Sequence, residues 1–361
     1  MEGRRIRFAI AGCGRISGYH LDALAAHRDE AEVAAVCDVV PERAKAAAEK
    51  AGGVPWFASL PEMLAAGGFD AVSVCTPSGL HPQHGTAAAE AGFHVVTEKP
   101  IGIDLPRVDR LIETCDRKGV RLFTVLQNRL NPTVELLRQA LEKGRFGRQC
   151  FMQVNVFWTR PQEYYDEAPW RGTWALDGGA FMNQASHYVD LAQWLGGPVE
   201  EVVALTGTLG RRIEAEDTGA AVLRFASGAI ATLNVTMLVY PKNLEGSVTL
   251  MGLRGTARVG GIALNRILQW DFDRYQDEDR EVLEAGYTPP TVYGHGHTGY
   301  YRNVIEVLRG RAAPSTDGRE GRRSLELILA IYRSAREGRP VRPGAGQEDP
   351  VGKAVSSPRI R

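Results

Sequence analysis

Two periods of apolar residues alternate along the first 145 positions. Short β-branched and apolar runs at 6–11, 33–37, 71–75, 93–97 and 122–126 read as strands covered on both faces. Between them, 16–27, 41–50, 61–66, 82–91, 105–118 and 132–143 carry Ala-rich patterns with the period of a helix. Pro41, Pro61, Pro82 and Pro132 stand at helix starts, where a missing N–H is tolerated. This alternation predicts an α/β Rossmann domain over residues 1–128, built on a doubly wound parallel sheet.

Beyond about residue 148 the runs lengthen and alternate more strictly: 149–158, 199–208, 218–225, 229–237, 247–251 and 256–259. Ser227-Gly228 and Arg254-Gly255 supply turn signals between them. The pattern predicts an α+β domain over 129–343 with a large open, mostly antiparallel sheet. A helix is expected over 181–195, two more over 300–309 and 323–337, and a disordered polar tail over 344–361. Val154, Val156, Leu233, Val235 and Met237 are assigned to the open face of the sheet, where another subunit would cover them.

Composition narrows the function. The chain has 361 residues, 44% of them hydrophobic, and Lys plus Arg balances Asp plus Glu at 43 each. No net field draws it to nucleic acid or to a membrane surface, and neither partner is expected. No apolar run approaches the roughly 20 residues of a membrane span. The stretch MEGRRIRFAIAG is basic and then apolar, but the apolar part ends at Gly12 with no small-residue cleavage site behind it. Cys13, Cys37, Cys75, Cys115 and Cys150 are odd in number and form no C-x-x-C pair, so reduced thiols, a cytoplasmic location and no zinc site are expected.

Gly12-Cys13-Gly14-Arg15-Ile16-Ser17 follows the first strand and opens the first helix, the arrangement that cradles a pyrophosphate. Its third position is Ser17 rather than Gly or Ala. Asp38 closes the second strand, where a carboxylate accepts both adenosine ribose hydroxyls and repels a 2′-phosphate; NAD is therefore favoured over NADP. Arg43, one helical turn on, is equally placed to stack on adenine or to stay solvated.

GCGRIS, VCD with a following ERA, CTPSGLH (75–81), TEKP (97–100) and an H-x-x-D after a Gly-Gly element together resemble the glucose-fructose oxidoreductase/inositol dehydrogenase (Gfo/Idh/MocA) family, in its order and spacing. The segments QNRLNPTVELL, VNVFWTRPQEYYDEAPWRGTWALDGGAFMNQASHYVD, EAEDTG and VYGHGHTGYY are similar to its branch of UDP-2-acetamido-2-deoxy-D-glucuronate 3-dehydrogenases. The resemblance implies oxidation of the sugar 3-hydroxyl, ahead of an amination that leads to diacetamido-uronic acids of surface polysaccharides. Related enzymes act on other sugars, nucleotide sugars or inositols, as dehydrogenases or ketoreductases, and those substrates stay open here. A non-catalytic NAD-binding protein would be expected to lack the lysine or the histidine; Lys99 and His187 are both present.

By the same resemblance Lys99 is catalytic and points at the hydroxyl being oxidised, and a dimer or tetramer is implied, with a homotetramer expected. NAD contacts are implied at Gly12, Cys13, Gly14, Arg15, Ile16, Asp38, Arg43, Thr76, Pro77, His81, Glu98, Lys99 and Gln127. His187 is the expected base, since imidazole titrates near neutral pH. Asp190 either orients it or joins a salt bridge. The position four before the histidine, commonly aspartate in relatives, is Asn183, which can hold a hydroxyl but cannot accept its proton. Substrate contacts are expected from Lys99, Asn128, Arg129, Arg160, Trp170, Arg171, Asn183 and His187, with Asn243 a further candidate and Trp158 and Trp174 equally suited to packing. His84 reads as a helix-surface residue and YGHGHTGYY as a closing loop; no metal is expected.

Overall fold

The computed structural model describes residues 3–288 and 296–344. It divides into two compact units, Met1–Gln127 with His297–Arg322, and Asn128–Gly296 with Arg323–Arg361. Residues 297–322, expected in the second domain, thus fold with the first. The expectation for the tail falls, Gly344 apart, outside the described residues.

The first unit holds β1 (Ile6–Ala11), α1 (Ser17–Ala26), β2 (Ala31–Cys37), α2 (Pro41–Lys50), β3 (Trp56–Phe57), α3 (Leu60–Ala66) and β4 (Ala71–Val74). It continues through α4 (His81–Glu90), β5 (His94–Thr97), α5 (Leu105–Lys118) and β6 (Leu122–Thr124). The strands pair in parallel in the order β3-β2-β1-β4-β5-β6. Chain reversal after β1 and β4, on either side of the sheet's midline, sets the glycine loop and the Thr76 segment side by side at the carboxyl edge. Asp104 caps α5 by accepting from the Arg107 N–H (3.0 Å), and Gly119 closes it in the left-handed region at φ 67°. β3 escaped the hydrophobic pattern because it is two residues long and Trp56 is exposed.

The second unit holds α6 (Pro132–Glu142), β7 (Gln149–Phe157), α7 (Gln162–Asp166), α8 (Ser186–Gly196), β8 (Val199–Gly207), β9 (Thr218–Phe225) and β10 (Ile230–Thr236). β11 (Glu245–Gly252), β12 (Gly255–Gly260), β13 (Arg266–Phe272) and α9 (Asp279–Glu284) follow. Its seven strands run β13-β12-β11-β7-β10-β9-β8, antiparallel except for the β7–β10 pair. Two helices complete the chain: α10 (Gly296–Leu308) supplies the first unit, and α11 (Gly318–Glu337) divides between the units at Arg322.

One expectation about this sheet is corrected. Val154, Val156, Leu233, Val235 and Met237 are all buried within the chain, so they line the covered face rather than the open one. α8 packs on β7, and the Ser334 hydroxyl of α11 accepts the Ala204 N–H of β8 at 3.1 Å. The outer face instead presents a polar ladder: Asn234 Nδ2 donates to Asn155 Oδ1 (2.9 Å), and Asn155 Nδ2, Ser247 and Arg258 all donate to Glu245 Oε1.

The helix expected over 181–195 begins only at Ser186, because the preceding residues are held as turns by a buried clasp. Glu216 Oε1 accepts from the Phe181 N–H and from the Tyr332 hydroxyl, both at 2.9 Å. Tyr332 Oη in turn accepts the N–H groups of Gly179 (3.3 Å) and Met182 (3.1 Å). The Glu216 carboxyl lies where a side chain at position 179 would be, so only glycine fits there.

Burial, opposed by these hydrogen bonds, pushes the Glu216 carboxyl from 4.5 up to about 8. Over that window the folded chain keeps a proton the unfolded chain releases, so stability declines as pH rises through it and levels off above. Replacing Glu216→Gln removes this component while preserving the acceptor oxygen. Urea unfolding of both proteins at a series of pH values is expected to show the variant gaining on the wild type across the window, by up to a few kcal/mol. Parallel curves would mean that Glu216 is ionised in the folded state.

Candidate active site

The first unit carries the nucleotide-binding motif. Gly12 sits at φ 92°, its N–H donating to Cys37 O (2.8 Å), and a Cβ there would strike the Cys75 and Thr76 backbone at 2.8–2.9 Å. Gly14 faces open space, which leaves its backbone accessible to a phosphate. The imperfect third position of the fingerprint has a local use: the Ser17 hydroxyl donates to Gly14 O at 2.7 Å and pins the loop to the start of α1. Asp38 holds the same loop from the second strand, accepting the Cys13 N–H at Oδ2 (2.7 Å) and the Val40 N–H at Oδ1 (2.8 Å). Arg15 and Arg43 are exposed and Ile16 precedes α1.

Thr76 and Pro77 follow β4. His81 is buried, its Nε2 2.7 Å from Thr76 O and its Nδ1 2.7 Å from Pro100 O, so it ties the turn after β5 to the segment after β4. Burial pushes its pKa down. His84, expected on the surface, is partly buried and meets Thr76 Oγ1 at 3.0 Å. The peptide between Lys99 and Pro100 is cis, Glu98 is buried, and Lys99 is half-buried. Gln127 Oε1 is buried and lacks a hydrogen-bond partner within the described structure. An open glycine, a carboxylate directly after the second strand and an orphaned amide oxygen together suit a dinucleotide.

The second unit carries His187 and the residues expected to meet the sugar. His187 is buried in the first turn of α8. Asn183 lies on the turn before it and donates from Nδ2 to Asp177 Oδ1 (2.5 Å), while Asp177 Oδ2 accepts the Gly172 N–H (2.6 Å). Asp190 does not orient His187. It forms a buried two-pronged pair with Arg129 (2.8 and 2.6 Å) and accepts the Ser324 hydroxyl at 2.6 Å. Arg129, expected to meet substrate, therefore has its charge matched inside the fold, with its guanidinium over Trp194. Asn128 is buried beside it.

Arg171 pairs with Glu167 (2.6 Å) and stacks on Tyr164. Arg160 differs: it lies over Trp158 and Tyr164, and no carboxylate among the described residues pairs with it. Trp170 flanks Arg171. Trp158 and Trp174 serve packing, against Tyr188 and Tyr332 respectively, and Asn243 Oδ1 accepts the Thr159 N–H (2.9 Å). Asp177, Glu216 and Tyr332 were not singled out as site-building residues. The segments ALDGG and EAEDTG held two of them in plain view, but nothing local links either to position 332.

Residues 6–126 match the oxidoreductase family's NAD-binding Rossmann fold, and residues 138–342 its C-terminal alpha/beta domain. A myo-inositol dehydrogenase from Streptomyces leeuwenhoekii is 30% identical over 93% of this chain and 99% of its own. A D-apiose dehydrogenase from Paraburkholderia graminis is 27% identical over 99% and 95%. The crystal structure of the WlbA dehydrogenase from Bordetella pertussis, in complex with NADH and UDP-GlcNAcA, is 54% identical, covers 95% of this chain and 98% of that one, and has a TM-score of 0.89. The Chromobacterium violaceum WlbA dehydrogenase, with the same two ligands, is 53% identical over 95% and 97% with a TM-score of 0.90. Two matched domains covering nearly the whole chain, on a glycine loop and a Glu-Lys-Pro turn folded as described, place the protein in the Gfo/Idh/MocA oxidoreductase family.

Proposed function

We propose that the protein is an NAD-dependent dehydrogenase that oxidises the 3-hydroxyl of UDP-2-acetamido-2-deoxy-D-glucuronate to the 3-keto sugar. One observation carries this reading: identity above half, sustained over 95% of the chain, to two dehydrogenases whose structures hold NADH and UDP-GlcNAcA. The keto product is an electrophile suited to amination, which fits a place in making diacetamido-uronic acids for surface polysaccharides.

Gly12, Cys13, Gly14, Arg15 and Ile16 are assigned to the pyrophosphate, Asp38 to the adenosine ribose and Arg43 to the adenine. Thr76, Pro77, His81, Glu98 and Gln127 are assigned to shaping the nicotinamide edge. Bound NAD supplies the hydride acceptor. His187 takes the hydroxyl proton, and the Lys99 ammonium hydrogen-bonds the same oxygen and stabilises the negative charge that grows on it. Asn183, its amide aligned by Asp177, holds a neighbouring hydroxyl. Arg160 is assigned to an anionic group of the nucleotide sugar, supported by its lack of a carboxylate partner among the described residues. Asn128, Trp170 and Arg171 line the sugar nucleotide, whereas Arg129 supports the site through Asp190.

A homotetramer is retained, on grounds other than those first expected. Val203 and Val222 pair across β8 and β9 on the outer face, both exposed, with Leu205 and Ile230 nearby on the same strands and β10. A second copy would cover them. A cytoplasmic location is proposed from five free thiols, of which Cys13, Cys37 and Cys115 are pushed up to about 12 chiefly by burial. No helix of the described residues is long and apolar enough to cross a membrane.

The purified protein with NAD and UDP-2-acetamido-2-deoxy-D-glucuronate is expected to produce NADH and a keto sugar. Turnover of myo-inositol or apiose with silence on the UDP sugar would reassign the substrate within the family. His187→Asn and Lys99→Met should each lower kcat by about 10²–10⁴-fold while NADH binding, followed by fluorescence, persists. Sedimentation analysis should give four times the chain mass, and Val222→Glu should reduce it.

A further inference from the structure

Glu98 is assigned above only to shaping the nicotinamide edge and the His297/Tyr301 pair of α10 to nothing, yet the first unit buries them together. Tyr301 Oη lies 2.7 Å from Ser73 Oγ on β4 and 2.7 Å from His20 Nδ1 on α1. His20 Nε2 lies 2.9 Å from Glu98 Oε1, and His297 Nε2 lies 3.4 Å from the same oxygen. The other carboxylate oxygen, Oε2, accepts the backbone N–H of Lys99 at 3.0 Å. Ser73, Tyr301 and His20 are wholly enclosed, and Glu98 and His297 are 5% and 4% exposed.

The proton positions follow from the partners. Burial alone would raise the Glu98 carboxyl, but hydrogen bonds from His20 and His297 outweigh it and hold the group well below the usual carboxylate range. A carboxylate only accepts, so His20 Nε2 donates in either protonation state of the ring. A neutral turn before proline could use an amide here. The fold instead encloses an ion, a costly choice unless the charge itself is used.

We infer that Glu98 is a positioning residue for Lys99: fixed by His20 and His297, it clamps the lysine's backbone and sets a buried negative charge beside it, which keeps the Lys99 ammonium charged during turnover. The inference rests on the assignment of Lys99 to the substrate alcohol. The groups facing Glu98 are consistent with it. From the segment after β4 comes Cys75, from α4 His81, from α1 His20, and from α10 His297, Tyr300 and Tyr301. Burial pushes the cysteine and both tyrosines upward, into their neutral forms, and pushes His81 and His297 downward, an effect to which the Lys99 charge adds. His297 therefore does not compete with Lys99 as a cation at neutral pH.

His20, Glu98 and His297 are also a donor set for a divalent metal, with ligand atoms within 4.8 Å of one another. In the structure those atoms meet each other at hydrogen-bond distances. The metal reading is therefore an arm of the test.

The experiment compares the NAD-loaded wild type with Glu98→Gln and, as a milder change that leaves the carboxylate in place, His297→Asn. Lys99 is titrated by the pH dependence of its acylation, read by mass spectrometry of its peptide. The Gln variant is expected to titrate about one pH unit lower, with the Asn variant shifted less and in the same direction. The basic limb of kcat should move with it, leaving the Gln variant about fivefold slower than the wild type one unit above its own limb, while KM for the sugar changes little. Unchanged acylation profiles in both variants would overturn the inference, as would stoichiometric zinc in the wild type by elemental analysis. A shifted lysine in a protein inert toward the UDP sugar would leave the positioning role intact and remove only the proposed substrate.

Discussion

An ionised carboxylate without water must find all its hydrogen bonds in the fold, and Glu98 finds them on α1, α10 and its own turn. That requirement accounts for much of the first unit's architecture. It brings the returning segment 297–322 back onto a sheet that would otherwise end at β6. Thr316 then donates to Thr124 O at 2.7 Å, and Asp317 bridges Phe123 in antiparallel fashion. The turn that carries Lys99 is thereby braced from below by Glu98 and from the side by His81, whose ring spans Thr76 and Pro100.

The second unit meets the same constraint with different chemistry. Asp190 meets the Arg129 guanidinium at two points. Asp217, wholly buried, spends its oxygens on the N–H groups of Leu209, Gly210 and Arg211 and so shapes the loop after β8. Glu216, next to it, has two backbone donors and a tyrosine, too little to offset its burial, and holds its proton. Three buried acids thus fix the segments around α8, each through the donors it meets.

The parts of this arrangement that were legible in the sequence are those whose partners are near in the chain. The glycine loop, Asp38 and the Glu-Lys-Pro turn are read from a few adjacent residues, and the strand–helix alternation follows from local apolar period. Pairs such as Arg129–Asp190, Glu216–Tyr332 and Glu98–His297 are 61, 116 and 199 residues apart, and no local pattern connects them. The sheet of the second unit shows a related limit. Alternation identified Val154, Val156, Leu233, Val235 and Met237 as sharing a face, but whether a helix of the same chain covers that face depends on where α8 and α11 pack. YGHGHTGYY was misread for the same reason: its residues from His297 onward are helical core rather than a loop, while 293–295 lie outside the described residues.

Both departures from the family pattern carry local compensation, and the second bears on the chemistry. Ser17, where Gly or Ala completes the fingerprint, turns its hydroxyl onto Gly14 and ties the loop to the start of α1. Asn183, where relatives commonly carry aspartate, receives a carboxylate from Asp177 through its own amide N–H. That bond fixes the amide so that its oxygen is the acceptor presented away from Asp177, able to take a hydrogen bond but not a proton. Of the groups assigned to the substrate from this unit, the imidazole of His187 is the one proposed above as the base.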